Sequence, residues 1–194
     1  MTDSQHIEKE RVSTRERQLS KEDIDRLVSY VEEKAVSARR RGTKRGIIDE
    51  LIILIFVHTG IRPGELCELN INNMKISDLG QVTLDVPGEH ARTLSMPHVV
   101  YEKFQQYLAL YREKDSPEMP LFRSEQGNRF SYQNVYLKIK SIGKKARIED
   151  LQPYMLRHFF LCQLYEEEHN LKLVQKIGGY QDPKTAAFSL KLEI

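Results

Sequence analysis

The amino-acid sequence predicts an α+β fold that is mainly α-helical, with a small three-stranded antiparallel sheet at one side. Most apolar residues recur at helical spacing, whereas the stretch from Val82 to Met96 alternates apolar and polar residues around a Pro87-Gly88 turn. At 194 residues the chain is long enough to bury one substantial core.

Residues 1–18 are polar and mixed in charge, so they read as a flexible linker rather than a secretory signal. Leu19-Ser20-Lys21-Glu22-Asp23 starts the first helix: Ser20 can cap it, and Asp23 is an acidic first-turn partner. That helix is expected to run to about Ala38, with Ile24, Leu27, Val28 and Val31 inward. A basic loop over 39–46 follows. Ile47 to His58 is apolar nearly all round, the mark of a central buried helix. Thr59-Gly60 stops it, with Gly60 in the left-handed conformation, and Pro63 opens a short helix carrying Glu65, Leu66 and Leu69.

Val82, Leu84 and Val86 form one strand and Thr93 to Met96 another, with residues 74–77 as the third. After Pro97, Val100, Phe104, Tyr107, Leu108 and Tyr111 keep helical spacing. Ser131 caps a helix whose core face is Val135, Ile139, Ile142 and Ala146, with Lys140, Lys144 and Arg147 on another face. Pro153 opens a helix with Leu156, Phe159, Phe160 and Leu164 inward, and short helices at about 171–177 and 183–190 close the chain.

Composition narrows the class. The longest apolar run, Leu51 to Val57, falls far short of the roughly 20 residues of a membrane helix. Cys67 and Cys162 stand alone in helical patterns, which fits small core residues and a reducing cytoplasm, with no disulfide framework or zinc spacing. No metal or other cofactor is expected. A net charge of +2 does not announce a nucleic-acid binder, but the cations are clustered. Arg39, Arg40, Arg41, Lys44 and Arg45 crowd the first loop, and Lys138, Lys140, Lys144, Lys145 and Arg147 crowd one later helix. Either cluster alone would be an ordinary solvated face; both together favour a phosphate-facing surface.

Two segments carry the chemistry: Thr59-Gly60-Ile61-Arg62-Pro63-Gly64-Glu65-Leu66 and Tyr154-Met155-Leu156-Arg157-His158. Each sets one arginine at the edge of an apolar helix. A guanidinium is always charged, and its planar fork matches a phosphate in two-point fashion. Two forks brought together would grip one backbone phosphate.

In order and spacing these segments resemble the catalytic domain of tyrosine recombinases, the phage integrase family. The likeness covers about residues 19 to 190. It includes the Leu19-Ser20-Lys21-Glu22 opening, the T-G-x-R-x-x-E-L match at Thr59 to Leu66, a hairpin ending in proline, Leu121-Phe122…Gly127…Ser131, and L-R-H at Leu156 to His158. The resemblance implies a domain over 19–194 without the N-terminal DNA-clamping domain of longer members. It also implies double-stranded DNA as partner, with self-association or an active recombinase as further partners. Arg62 and Arg157 stand where the family's two phosphate-stabilising arginines belong.

Four other positions depart from the family pattern. Tyr154 replaces the histidine of P-H-x-L-R-H, and Glu89 replaces the hairpin lysine. Tyr180, in Gly178-Gly179-Tyr180, replaces the L-G-H histidine. Ser189 stands nine positions further on, where the nucleophilic tyrosine belongs, and no tyrosine follows Tyr180. Without that nucleophile there is no covalent intermediate. Glu89 puts negative charge where a cation should donate a proton, and a tyrosine of ordinary pKa, about 10, is a poor base near neutrality.

The expectation is therefore a DNA-binding, recombination-related protein unable to cut DNA. Arg62 and Arg157 would hold a phosphate, and Arg39, Arg40, Arg41, Lys44, Arg45, Arg92, Lys140, Lys144 and Arg147 would supply further contacts. Two alternatives stay open. One is an active recombinase with a relocated nucleophile, Tyr180 or Tyr154, and His90 or Arg92 in place of the hairpin lysine. The other is a protein-interaction module that no longer touches DNA.

Overall fold

The computed structural model describes residues 18–192; all of the expected linker over 1–18 except Gln18 lies outside them. The first helix, α1 (Lys21–Arg40), begins as its sequence dictates. The Asp23 N–H donates to Ser20 Oγ at 3.1 Å, and the Ser20 N–H donates to Asp23 Oδ2 at 3.2 Å. It presents Leu27, Val31 and Ala35 to α2 (Arg45–Thr59).

Helix α2 is the hub of the fold. It packs against α1, α4 (His98–Tyr111), strand β3 (Arg92–Met96), α5 (Tyr132–Lys145) and α6 (Pro153–Glu168), which is why it has no polar face. The exception is Glu50, fully buried on this helix. Its carboxylate accepts from Arg39 Nη2 at 2.7 Å and from Lys103 Nζ at 2.5 Å, tying α1, α2 and α4 together.

Gly60 ends α2 in the left-handed conformation, with φ of 57°, and a β-carbon there would meet Phe160 Cδ1 at 2.4 Å. The Thr59 hydroxyl donates to Ile55 O at 2.6 Å and accepts the Ile61 N–H at 3.3 Å, so the chain turns sharply into α3 (Pro63–Glu68). A 3₁₀ turn (Ile71–Asn73) leads into the sheet.

Strands β1 (Met74–Ile76), β2 (Val82–Val86) and β3 lie antiparallel in that order, with Leu84 opposite both Met74 and Leu94. Val82, Leu84 and Val86 face the core. Asp85 points outward and accepts from Lys75 Nζ at 2.7 Å and from the Thr93 hydroxyl at 2.8 Å. In the long connection after α4, buried Arg112 donates to Pro120 O and Leu121 O at 2.9 and 3.1 Å. Arg129 donates to Cys67 O, Leu69 O and Asn70 Oδ1. Arg112 thus holds the long connection together, and Arg129 ties it to α3 and the segment after it, both through backbone carbonyls.

Ser131 caps α5, its hydroxyl accepting the Asn134 N–H at 3.2 Å. That helix stops at Lys145, so Arg147, expected on its basic face, instead lies beyond its end with φ of 60°. The chain closes with α7 (Leu171–Gly178) and α8 (Pro183–Ser189), packed on the far end of α6 around Leu161, Val174, Ala186 and Leu190. No helix among the described residues is long and apolar enough to cross a membrane.

Candidate phosphate-binding site

Three helix ends and the hairpin converge on one loop. Arg62 stands just before α3, where the chain leaves the Gly60 turn, and its Nη2 donates to Gly179 O at 2.7 Å. Arg157, in the first turns of α6, donates through Nη1 to Gly60 O at 2.7 Å and through Nη2 to Gly178 O at 2.5 Å. The two arginines expected to act together thus take consecutive carbonyls of the Gly178-Gly179 turn. Positions 62 and 157 are far apart in the chain, and α2 packed on α6 brings them together.

Glu65 organises the cluster. Its Oε2 accepts the Arg62 N–H and its Oε1 accepts Arg62 Nη1, both at 2.8 Å. The i, i+3 spacing in a short helix makes this local pair possible. Arg92, reaching across from β3, grips the same carboxylate with both Nη atoms, at 2.7 and 2.9 Å, while its Nε donates to Ile177 O at 2.6 Å. Burial on its own pushes the Glu65 carboxyl up, but Arg92 and Arg62 outweigh it and hold the pKa at about 2. The carboxylate is therefore charged at any working pH. It is one negative charge among three guanidinium groups, so the cluster keeps a positive excess.

Tyr180 lies over the arginine pair. Its ring centroid is 5.2 Å from the Arg157 guanidinium carbon and 5.8 Å from that of Arg62, close enough for cation–π attraction to both. Burial, the largest influence, pulls the Arg157 pKa down, and the neighbouring Tyr180 opposes it. Arginine stays charged regardless.

The two forks are not equally accessible. Arg157 is only 3% exposed, whereas the Arg62 side chain is 28% exposed. Arg62 is thus the outer of the two forks, with Arg157 behind it under Tyr180. Gly179, with φ of +62°, allows this crowding, since a β-carbon would come within 2.9 Å of Arg92 Nη1 and 3.1 Å of Arg62 Nη1.

The remaining expected residues fall in different places. Glu89 is at the hairpin tip, where its Oε1 accepts from Gln181 Nε2 at 3.4 Å. Tyr154 lies on the outer side of α6, its ring stacked on His158 at a centroid distance of 6.2 Å. The Ser189 hydroxyl donates back to Ala186 O at 2.7 Å, inside its own helix and not toward the arginines. Burial and the Lys191 charge push the His158 imidazole down, consistent with a packed residue. Burial raises the Cys67 thiol to about 11, which leaves it inert.

Of the expected phosphate-contacting cations, Arg40, Arg41, Arg45, Lys140, Lys144 and Arg147 are exposed, and Lys44 is half-buried. Two are already engaged. Arg39 is bound to the buried Glu50, and Arg92 is sealed against Glu65 with its side chain 6% exposed. Both therefore act within the fold as observed, as internal counter-ions. Sequence reasoning named neither Glu65 as the hub nor Lys176, which lines a cleft of about 470 Å³ beside the cluster. The Arg62–Glu65 spacing was a signal for the first; the second had none. Among the described residues, no group of histidine, cysteine or acidic side chains is arranged to hold a metal.

A mainly helical domain with one antiparallel hairpin sheet, and two arginines drawn from helix ends onto one turn, is the architecture of a tyrosine recombinase catalytic domain. The chain belongs to the Phage integrase family, which it matches over residues 17–188. It is 31% identical over 145 residues to a tyrosine recombinase XerC of Pseudomonas fluorescens, covering 75% of this chain and 48% of that protein. The chain thus spans about half the length of the curated relatives it matches. Among solved structures, XerA recombinase superposes with a TM-score of 0.75 at 24% identity, over 91% of this chain and 59% of that one. XerH recombinase bound to its difH substrate, in a post-cleavage complex, gives 0.76 at 23% identity, over 90% and 49%. These structural likenesses establish the fold.

Proposed function

We propose that this chain binds double-stranded DNA, takes a backbone phosphate at Arg62 with Arg157 behind it, and does not cut the strand. The observation that carries the reading is the convergence of Arg62 and Arg157 on the Gly178-Gly179 turn, around a cluster with excess positive charge. Family membership and a relative solved in complex with a recombination site support it. Exposed Arg40, Arg41, Arg45, Lys140, Lys144 and Arg147 would add sequence-independent phosphate contacts. In this reading residues 19–194 act as the phosphate-binding unit, residues 1–18 are a linker, and the role is that of a regulator or accessory factor in DNA recombination.

Loss of cleavage rests on chemistry. Ser189 keeps its hydroxyl on its own helix, and Glu89 brings negative charge to the hairpin tip. The alternative of a relocated nucleophile is favoured by one observation: Tyr180 lies against both arginines. A nicked duplex that traps covalent intermediates separates the two. The proposed function predicts a complex on a native gel and no protein–DNA adduct after denaturation. An adduct that disappears in Tyr180→Phe would establish the enzyme instead. Failure to bind duplex at low salt would leave only the protein-interaction reading.

A further inference from the structure

The cleft beside the arginine cluster lies between the hairpin and the end of α7, and is lined by His90, Arg92, Thr93, Lys176, Tyr180 and Gln181 among others. It is open to solvent and has a volume of about 470 Å³. Two cations line it. Arg92 is spent on Glu65 and the Ile177 carbonyl. Lys176, in the last turn of α7, is exposed, and among the described residues its ammonium group has no hydrogen-bond or ion-pair partner.

Lys176 is also one residue from Ile177, whose carbonyl Arg92 holds, and two from Gly178, whose carbonyl Arg157 holds. The backbone that carries Lys176 is thus pinned by Arg92 and by Arg157, the inner of the two arginines of the proposed phosphate site. An ammonium on a flexible four-carbon stem, anchored there, needs only a side-chain rotation to meet a second anion. The adjacent hairpin tip carries Glu89 and His90, and so offers no permanently charged cation.

We propose that Lys176 is a phosphate-binding residue, holding from α7 the phosphodiester adjacent to the one held at Arg62. This rests on the DNA-binding reading and deepens it. The cation beside the arginine pair comes from a helix end across the cleft, not from the hairpin.

The test is binding of a labelled random-sequence duplex, titrated with salt, to the full chain and to Lys176→Ala, Lys176→Arg and Arg62→Ala. Melting curves establish that each variant is folded. The expected result is a log K against log salt slope shallower by about 0.9 in Lys176→Ala, and unchanged in Lys176→Arg. If Arg62→Ala flattens the slope and Lys176→Ala does not, the Lys176 assignment is wrong and the phosphate site stands. If Arg62→Ala leaves the slope unchanged, or the wild type does not bind, the underlying reading fails and the Lys176 assignment with it.

Discussion

Gly178 and Tyr180 are fitted to each other: a β-carbon on Gly178 would lie 2.5 Å from Tyr180 Cε2 and 2.7 Å from Cδ2. The two residues share one space beside Arg157. The ring at 180 occupies space that a side chain at 178 would need. Tyr180 then lies over Arg157, its ring centroid 5.2 Å from the guanidinium carbon.

The first prediction follows from that fit. Gly178→Ala should cost about 1–3 kcal/mol in urea denaturation, the range for inserting a methyl into a packed site. In a Tyr180→Ala background the same substitution should cost much less, since the clashing ring is gone. Equal costs in both backgrounds would show that the two residues do not compete for space.

Glu65 sets a pH dependence. Its folded pKa of about 2 is below its ordinary 4.5, so the charged carboxylate stabilises the folded state. The sign follows directly: the contribution is complete above about 4.5 and is lost as pH falls from there toward 2. From the size of the shift it amounts to about 3 kcal/mol. Glu65→Gln should flatten the stability profile over this window, measured by denaturant midpoints at a series of pH values.

Glu50→Ala should be among the more destabilising single changes in α2. It strips Arg39 and Lys103 of a fully buried partner, and breaking such pairs costs about 3–5 kcal/mol. Both cations keep some solvent access, at 26% and 19% exposure, which favours the lower end of that range. Chemical denaturation measures it, and a cost below 1 kcal/mol would mean the network is not structural.

Glu89→Lys restores a cation to the hairpin tip beside the cleft. Duplex affinity should rise, and the salt slope should steepen by about 0.9, with no change in melting temperature. Unchanged binding would place the hairpin tip away from the phosphate path.

Much of this fold was legible because local rules agreed with one another. Ser20 and Ser131 cap their helices, Gly60 takes its left-handed turn, and Val82, Leu84 and Val86 alternate as the hairpin requires. Arg62 and Arg157 were legible as a pair through their motifs, and they meet on the Gly178-Gly179 turn. The internal engagement of Arg39 and Arg92 was not. A charge run shows how many cations are present, not which of them turn inward to meet Glu50 or Glu65. Those partners come from other elements, and only tertiary packing brings them close. Lys176 carried no motif, and its place beside the cleft follows from α7 meeting β3.

If Arg62 is the exposed half of a phosphate site, removing its charge alone must weaken duplex binding. Duplex binding to wild type and Arg62→Ala should be measured by fluorescence anisotropy across a salt series, with melting curves to confirm the fold. Arg62→Ala should bind more weakly, with a log K against log salt slope shallower by about 0.9. A folded Arg62→Ala protein with the wild-type slope would contradict it.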